Sequence, residues 1–273
     1  LCADCSDLYL AKAVYLLEQD LQANGYEALL CCTGYNPDAR KNYLNLILSK
    51  KVDSIILVGS NFIAPTEVEN TYIAEAAEQV PIMLLNAAYD HPNVYSTLCD
   101  DHAAMYEAAT AMLDAGIRRI LYLYNSNSYS GTRKRRGIED ALKKAGITDI
   151  KTYVRFYNGK TDQLNAVTDF IEQIADSGVF FDGVIASEDA LAIGAVKYAR
   201  RRGLNVPQDL SVIGCNNSIL TDCCTPELTS VDNRLETLSH QLVQTLLHVI
   251  NGEEMPKKAI FSGKLMKRST TNF

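Results

Sequence analysis

Two polar clusters, Ser187-Glu188-Asp189 and Asn216-Asn217-Ser218, carry the most readable chemistry in this chain. Each closes an apolar run, residues 183–186 before the first and 210–214 before the second. Carboxylates, amides and hydroxyls gathered in this way donate and accept several hydrogen bonds at once. In an open parallel sheet, the carboxyl ends of the strands are where ligands sit. The chemistry to expect is therefore reversible capture of a small polar molecule. Signatures of covalent, phosphoryl or metal chemistry are missing: the sequence has no GxSxG, GxxxxGK[ST], GxGxxG or HExxH. The four histidines are scattered, and His240 and His248 share one amphipathic run that reads as surface. The sequence predicts no catalytic residue, metal ligand or cofactor.

Alternating strand-like and helix-like runs must position those clusters. Helical spacing covers residues 8–24 and stops at Gly25. Residues 27–33 read as a strand, 38–50 as a helix and 52–58 as a buried strand. Thr66 opens another helix, with Glu67 and Glu69 in its first turn. Residues 80–86 follow as a strand interrupted early by Pro81, and then 101–114 as a helix. Farther on, 118–124 and 150–157 read as strands and 133–144 and 161–177 as helices. Residues 190–202 are helical up to Gly203, and 235–250 form a long amphipathic helix. This alternation predicts parallel sheets with helices on both faces. About ten strands exceed one comfortable open sheet, so two similar lobes are expected. No linker separates them, which predicts several short crossovers, near Gly116, near 231–233 and near 261–263.

Bulk properties narrow the function. A length of 273 residues with 47% hydrophobic content supports a sizeable core. No apolar run approaches a membrane span, so no membrane partner is expected. The opening LCADCSDLY lacks the pattern of a signal peptide. A net charge of −7 makes this chain a poor polyanion binder, and its one basic cluster, residues 133–136, is short. Of the eight cysteines, the neighbours Cys31 and Cys32 point to opposite faces of a strand, and Cys2-x-x-Cys5 lacks a second CxxC for zinc. Reduced thiols in a cytoplasmic protein are the expectation.

Several blocks occur in a specific joint order: CDDHAAMYEAATAMLDAGIRRILYL, TRKRRGIEDALKKAG, VPQDLSVIG, TPELTSVDN, INGEEMP and KLMKRSTT. Together they resemble the effector-binding core of the LacI/GalR family of bacterial transcription regulators, relatives of the periplasmic sugar-binding proteins. The resemblance spans nearly the whole chain. It implies an α/β fold of two doubly wound parallel-sheet lobes joined by three crossovers, the type I periplasmic-binding-protein-like architecture. The expected division is 1–115 with 233–261 for the N-terminal lobe and 116–232 with 262–273 for the C-terminal lobe. The family's helix-turn-helix and hinge are not found in this sequence, so operator DNA is expected to be read by a part outside it.

The resemblance places a ligand between the lobes and carries over to individual positions. Ser6, Asp7 and Tyr9 occupy the loop after the first strand and the mouth of the first helix. Ser6 or Asp7 also fits a plain N-cap, and Tyr9 fits core packing. Asp100 matches an acidic cleft position, with Asp101 a competing choice and an N-cap role open to it. The family's forked arginine is replaced by Lys134 in TRKRRG, so either Lys134 or, after a one-residue shift, Arg133 enters the cleft. Glu188 stands where the family usually has Asn, and Asn216 where it usually has Asp. Asp189 is retained but also reads as a helix cap, and Asn216 as a turn residue. Tyr157 and Asn158 are further lining candidates.

The function implied is allosteric control of DNA binding by a small polar metabolite, a sugar or sugar derivative, in a homodimeric repressor or activator. A solute-binding protein of a sugar transporter shares the same fold and cleft. An enzyme using Glu188 or Asp100 is a third reading, one that requires turnover of the bound compound.

Overall fold

Apolar spacing and end signals account for the helices of the computed structural model, which describes residues 1–273. In α1 (Leu8–Ala23), Leu10, Ala13, Leu17 and Leu21 recur at three- and four-residue steps, and all are buried. The Asp7 carboxylate starts the helix by accepting the Leu10 N–H at 2.8 Å. Asn36 caps α2 (Pro37–Ser49) in the same way through the Ala39 N–H. Thr66 precedes α3 (Glu67–Ala77), but its hydroxyl bonds the Glu69 carboxylate rather than a backbone N–H.

The chain divides into two units. The first comprises 1–99, 128–130 and 234–261; the second comprises 100–127, 131–233 and 262–273. The division expected after residue 115 therefore falls after Cys99. The reason is packing: α4 (Asp101–Asp114) rests on strands of the second sheet, and its Met105, Ala108 and Met112 join that unit's core.

The first unit holds a four-stranded parallel sheet, ordered β1 (Ile55–Val58), β2 (Ile82–Leu85), β3 (Val94–Cys99), β9 (Lys258–Phe261). Alternation along β2 splits its side chains between two faces. Met83 and Leu85 pack with α1 and α10 (Leu235–Ile250), while Ile82 and Leu84 pack with Leu44 of α2 and Ile73 of α3. Strand β3 escapes detection in the sequence because Ser96 and Thr97, both buried, interrupt its apolar run. Residues 27–33, expected as a strand, pair only at Cys32, which bridges Cys2; Cys2 in turn bridges Val58, all in parallel sense. Leu29 and Leu30 are exposed.

The second unit holds a six-stranded sheet. Its order is β10 (Lys264–Met266), β8 (Thr229–Asp232), β7 (Ser211–Cys215), β6 (Gly183–Ala186), β4 (Ile120–Tyr124), β5 (Val154–Phe156), with only β10 antiparallel. One face packs Leu121, Leu123, Val184 and Val212 against α7 (Leu164–Asp176) and α8 (Asp189–Arg202). The other packs Ile120, Tyr122 and Ile185 against α4 and α5 (Tyr129–Lys144). Residues 150–157 open as a helical turn, α6 (Ile150–Tyr153), before entering β5. The short α9 (Leu220–Cys223) lies between β7 and β8. Helix α8 ends as the sequence predicts, at Gly203 with φ +69°, and Arg200, Arg201 and Arg202 complement its negative end.

Candidate functional site

Strand order fixes where polar side chains collect. From β4 the chain passes to β5 on one side and then returns to β6 on the other. Connections leaving β4 and β6 diverge, and this reversal is where open α/β sheets bind ligands. Asn125 follows β4 and Ser187 follows β6, and the Ser187 hydroxyl donates to Asn125 Oδ1 at 3.2 Å. Beside them, Lys134 Nζ donates to the Ser187 carbonyl at 3.1 Å and to Asn216 Oδ1 at 3.4 Å. Asn216 Oδ1 also accepts from Asn233 Nδ2 at 3.2 Å. Asn216 and Asn217 have φ of +94° and +46°. Asparagine tolerates this left-handed backbone better than most residues, and it lets the chain turn at the tip of β7. Lys134 is 7% exposed because it extends the buried stripe of α5 formed by Ile138, Ala141 and Leu142. Arg133 and Arg135 flank that stripe and go elsewhere. Arg133 pairs with Asp100 at 3.0 Å, and Arg135 with Glu139 at 3.5 Å.

Asp189 braces this region from within. At 2% exposure, its carboxylate accepts from the Ser218 N–H at 2.7 Å and from the Ser230 hydroxyl at 2.6 Å. Burial pushes its pKa above the usual carboxylate value, opposed by those two donors and by the charge of Lys134. Ser230 Oγ also accepts the Asn217 N–H at 3.0 Å, and Asn217 Oδ1 accepts from Arg268 at 2.9 Å. Burial likewise raises the Cys215 thiol to about 11, again opposed by Lys134. Burial thus dominates the electrostatics of the β6 and β7 tips, with Lys134 opposing it at both groups.

In the first unit, the residues after Cys2 lie at the corresponding reversal, because Cys2 pairs on one side with Cys32 and on the other with Val58. Ser6 is exposed, and its hydroxyl donates to Asp4 Oδ1 at 2.6 Å. Asp7 is the cap of α1. Tyr9 leans on the apolar cluster beneath α1 and α10, and its hydroxyl accepts from Asn86 Nδ2 at 3.0 Å. Asn86, with φ +64°, ends β2 and also accepts the Cys99 N–H at 3.3 Å.

The structure thus gathers Lys134 and Asn216 at one set of tips and pairs Asp100 with Arg133 through Asp100's capping oxygen, which also accepts from Ala103 N–H at 3.3 Å. Glu188 sits at the start of α8. Tyr157 is a core side chain: it is 6% exposed, packed on the Phe170 ring and bonded to the Lys160 carbonyl at 3.4 Å. It alternates inward directly after β5, leaving Asn158 exposed. Sequence reasoning missed Asn125, Asn233 and Asn86, and placed Ser187 in a polar cluster without naming it as a site residue. Asn125, Ser187 and Asn86 each follow an apolar strand, so applying the strand-end rule to every strand finds them; Asn233 follows the polar strand β8 (Thr-Ser-Val-Asp) and gives no such signal.

A family model described as a periplasmic binding protein-like domain matches residues 109–271. An HTH-type transcriptional regulator of Lachnoclostridium phytofermentans is 46% identical over 100% of this chain and 81% of its own length. A solved LacI-family sugar-binding regulator from Escherichia coli, complexed with phosphate, superposes with a TM-score of 0.83 at 24% identity, covering 97% of this chain and 93% of that one. A LacI-family regulator from Enterococcus faecium with bound ribose does so at 0.82 and 20% identity, covering 98% and 96%. These solved structures share the fold. With 46% identity across its whole length to an HTH-type regulator, and the matched domain model, this chain belongs to the LacI family of transcriptional regulators, as the effector-binding domain of one.

Proposed function

We propose that this domain senses a sugar or a closely related polyhydroxylated metabolite and controls DNA binding allosterically. The observation that carries this reading is the cluster of Lys134, Ser187 and Asn216 at the β6 and β7 tips, with Asn125 beside it. It combines an ammonium, amides and a hydroxyl within one hydrogen-bonded set, the mixture of donors and acceptors that sugar hydroxyls require. In this proposal, the ligand binds at these tips, and Ser6, Asp7 and Tyr9 of the first unit are further candidate ligand residues. It binds one arrangement of the units better than another, and only that difference shifts the equilibrium. A coupling of about 1–3 kcal/mol suffices to change operator affinity roughly five- to hundredfold. The regulator works as a cytoplasmic homodimer, because paired half-sites call for paired readers, and releases its ligand chemically unchanged.

The test is a thermal-shift screen with ribose, cellobiose, other sugars, sugar phosphates, nucleobases and amino acids. A sugar should stabilise the protein, and Asn216→Ala should weaken that effect at least tenfold in affinity. Unchanged affinity in Asn216→Ala, or stabilisation only by non-sugars, overturns the reading.

A further inference from the structure

Half of the eight cysteines lie in two neighbouring segments of the first unit, Cys2 and Cys5 in one, Cys31 and Cys32 in the other. Backbone hydrogen bonds fix the register of these segments. Cys2 N–H donates to the Cys31 carbonyl at 3.0 Å, Thr33 N–H to Cys2 at 2.8 Å and Gly34 N–H to Ala3 at 3.0 Å. Adjacent side chains on an extended segment leave opposite faces. Cys31 accordingly packs on the cluster of Leu44, Ile47 and Ile73, while Cys32 turns the other way. There its Sγ lies 3.1 Å from Cys5 Sγ, and Cys32 is exposed.

We propose that Cys5 and Cys32 form a reversible disulfide, making this pair an oxidation site at the mouth of α1. The two sulfurs need to approach by only about 1 Å to reach bonding distance. Side-chain rotation supplies that movement, since the backbones are already pinned side by side. A hydroperoxide is the oxidant. The exposed Cys32 thiolate attacks its outer oxygen, the O–O bond breaks, and sulfenic acid forms as an alkoxide or hydroxide leaves. Cys5 sulfur then attacks the Cys32 sulfur. The S–O bond breaks, water departs carrying the Cys5 proton, and the S–S bond remains. Two electrons pass from the thiol pair to the peroxide. Burial and the hydrogen bond from Cys32 push the Cys5 thiol up to about 12, so Cys5 is not the thiol that attacks the peroxide. Thiols in reducing compartments form such bonds transiently, as redox sensors. The bond would tether the residue directly before Ser6 and Asp7.

This inference does not rest on the effector reading, and its test uses no effector. The reduced full-length chain is treated with stoichiometric hydrogen peroxide and digested without reduction. We expect loss of two hydrogens in the intact mass and a cross-link between the peptides carrying Cys5 and Cys32. Dithiothreitol should reverse it. Oxidised protein should melt several degrees higher than reduced protein, because the cross-link restricts the unfolded chain. Cys5→Ser and Cys32→Ser should each abolish the cross-link, and Cys2→Ser should retain it. Since the mapping is made on unmodified sequence, it stands even where a serine variant folds poorly. A link from Cys32 to Cys2, or irreversible sulfinic acid at Cys32 with no link, overturns the proposal.

Discussion

The two units place their strand-order reversals alike but furnish them differently. In the second unit the tips are bound to one another in two neighbouring sets: Lys134 with the Ser187 carbonyl and Asn216, which also holds Asn233, and buried Asp189 with Ser230 and the Ser218 N–H. In the first, Ser6 bonds locally to Asp4 and Asp7 to its own helix, Tyr9 reaches Asn86, and thiols stand beside them. A buried connected set is rigid and costly to disturb, because each group removed strands its partners in a low dielectric. Local caps and exposed thiols can change singly. The second unit is thus suited to fixed recognition, and the first to adjustment.

Substitutions should expose that contrast in order of size. The largest effect belongs to Asp189→Ala, which strands the Ser218 N–H and the Ser230 hydroxyl. Denaturant unfolding should show a loss of about 3 kcal/mol. Next comes Gly214→Ala in the same set. A methyl there lies 2.3 Å from Asp189 Oδ1 and 2.9 Å from Leu228, so overpacking should cost about 1–3 kcal/mol. Across the divide, Asp7→Ala removes only a cap and should cost about 1 kcal/mol. Tyr9→Phe, which takes one acceptor from Asn86, should cost about 0.5–1 kcal/mol. If Asp7→Ala proves as damaging as Asp189→Ala, the distinction between connected and local tips collapses.

Acidity sharpens the comparison further. Burial raises Asp189 above its unfolded value, so the folded state holds the proton more tightly there. Its contribution to stability is present below the unfolded pKa and is lost as pH rises through the folded one. Asp189→Asn removes this dependence. The stability of wild type relative to that variant should therefore decline as pH climbs from about 4, measured by urea titration at a series of pH values. A rising difference contradicts the assignment of burial as the dominant cause.

Much of the fold was legible because periodicity and caps are local signals. The span of α4, the end of α8 at Gly203 and the order of strands and helices follow from apolar spacing and glycine. Where buried polar residues broke the pattern, as Ser96 and Thr97 do in β3, reading failed. Tyr157 shows the complementary limit: a residue one place beyond a strand can turn into the core or out of it, and composition does not say which.

At the site itself, residue types and their places after strands established that polar groups gather at carboxyl ends. Long-range packing settled which of them meet. Lys134 rather than Arg133 reaches the β6 and β7 tips because it lies on the buried stripe of α5, a face defined only when that helix docks, while Arg133 turns to Asp100. Cys5 and Cys32, separated by 27 positions, became neighbours through backbone pairing that no local pattern encodes. Local propensities act over a few residues, whereas contact between distant side chains depends on how whole elements stack and register.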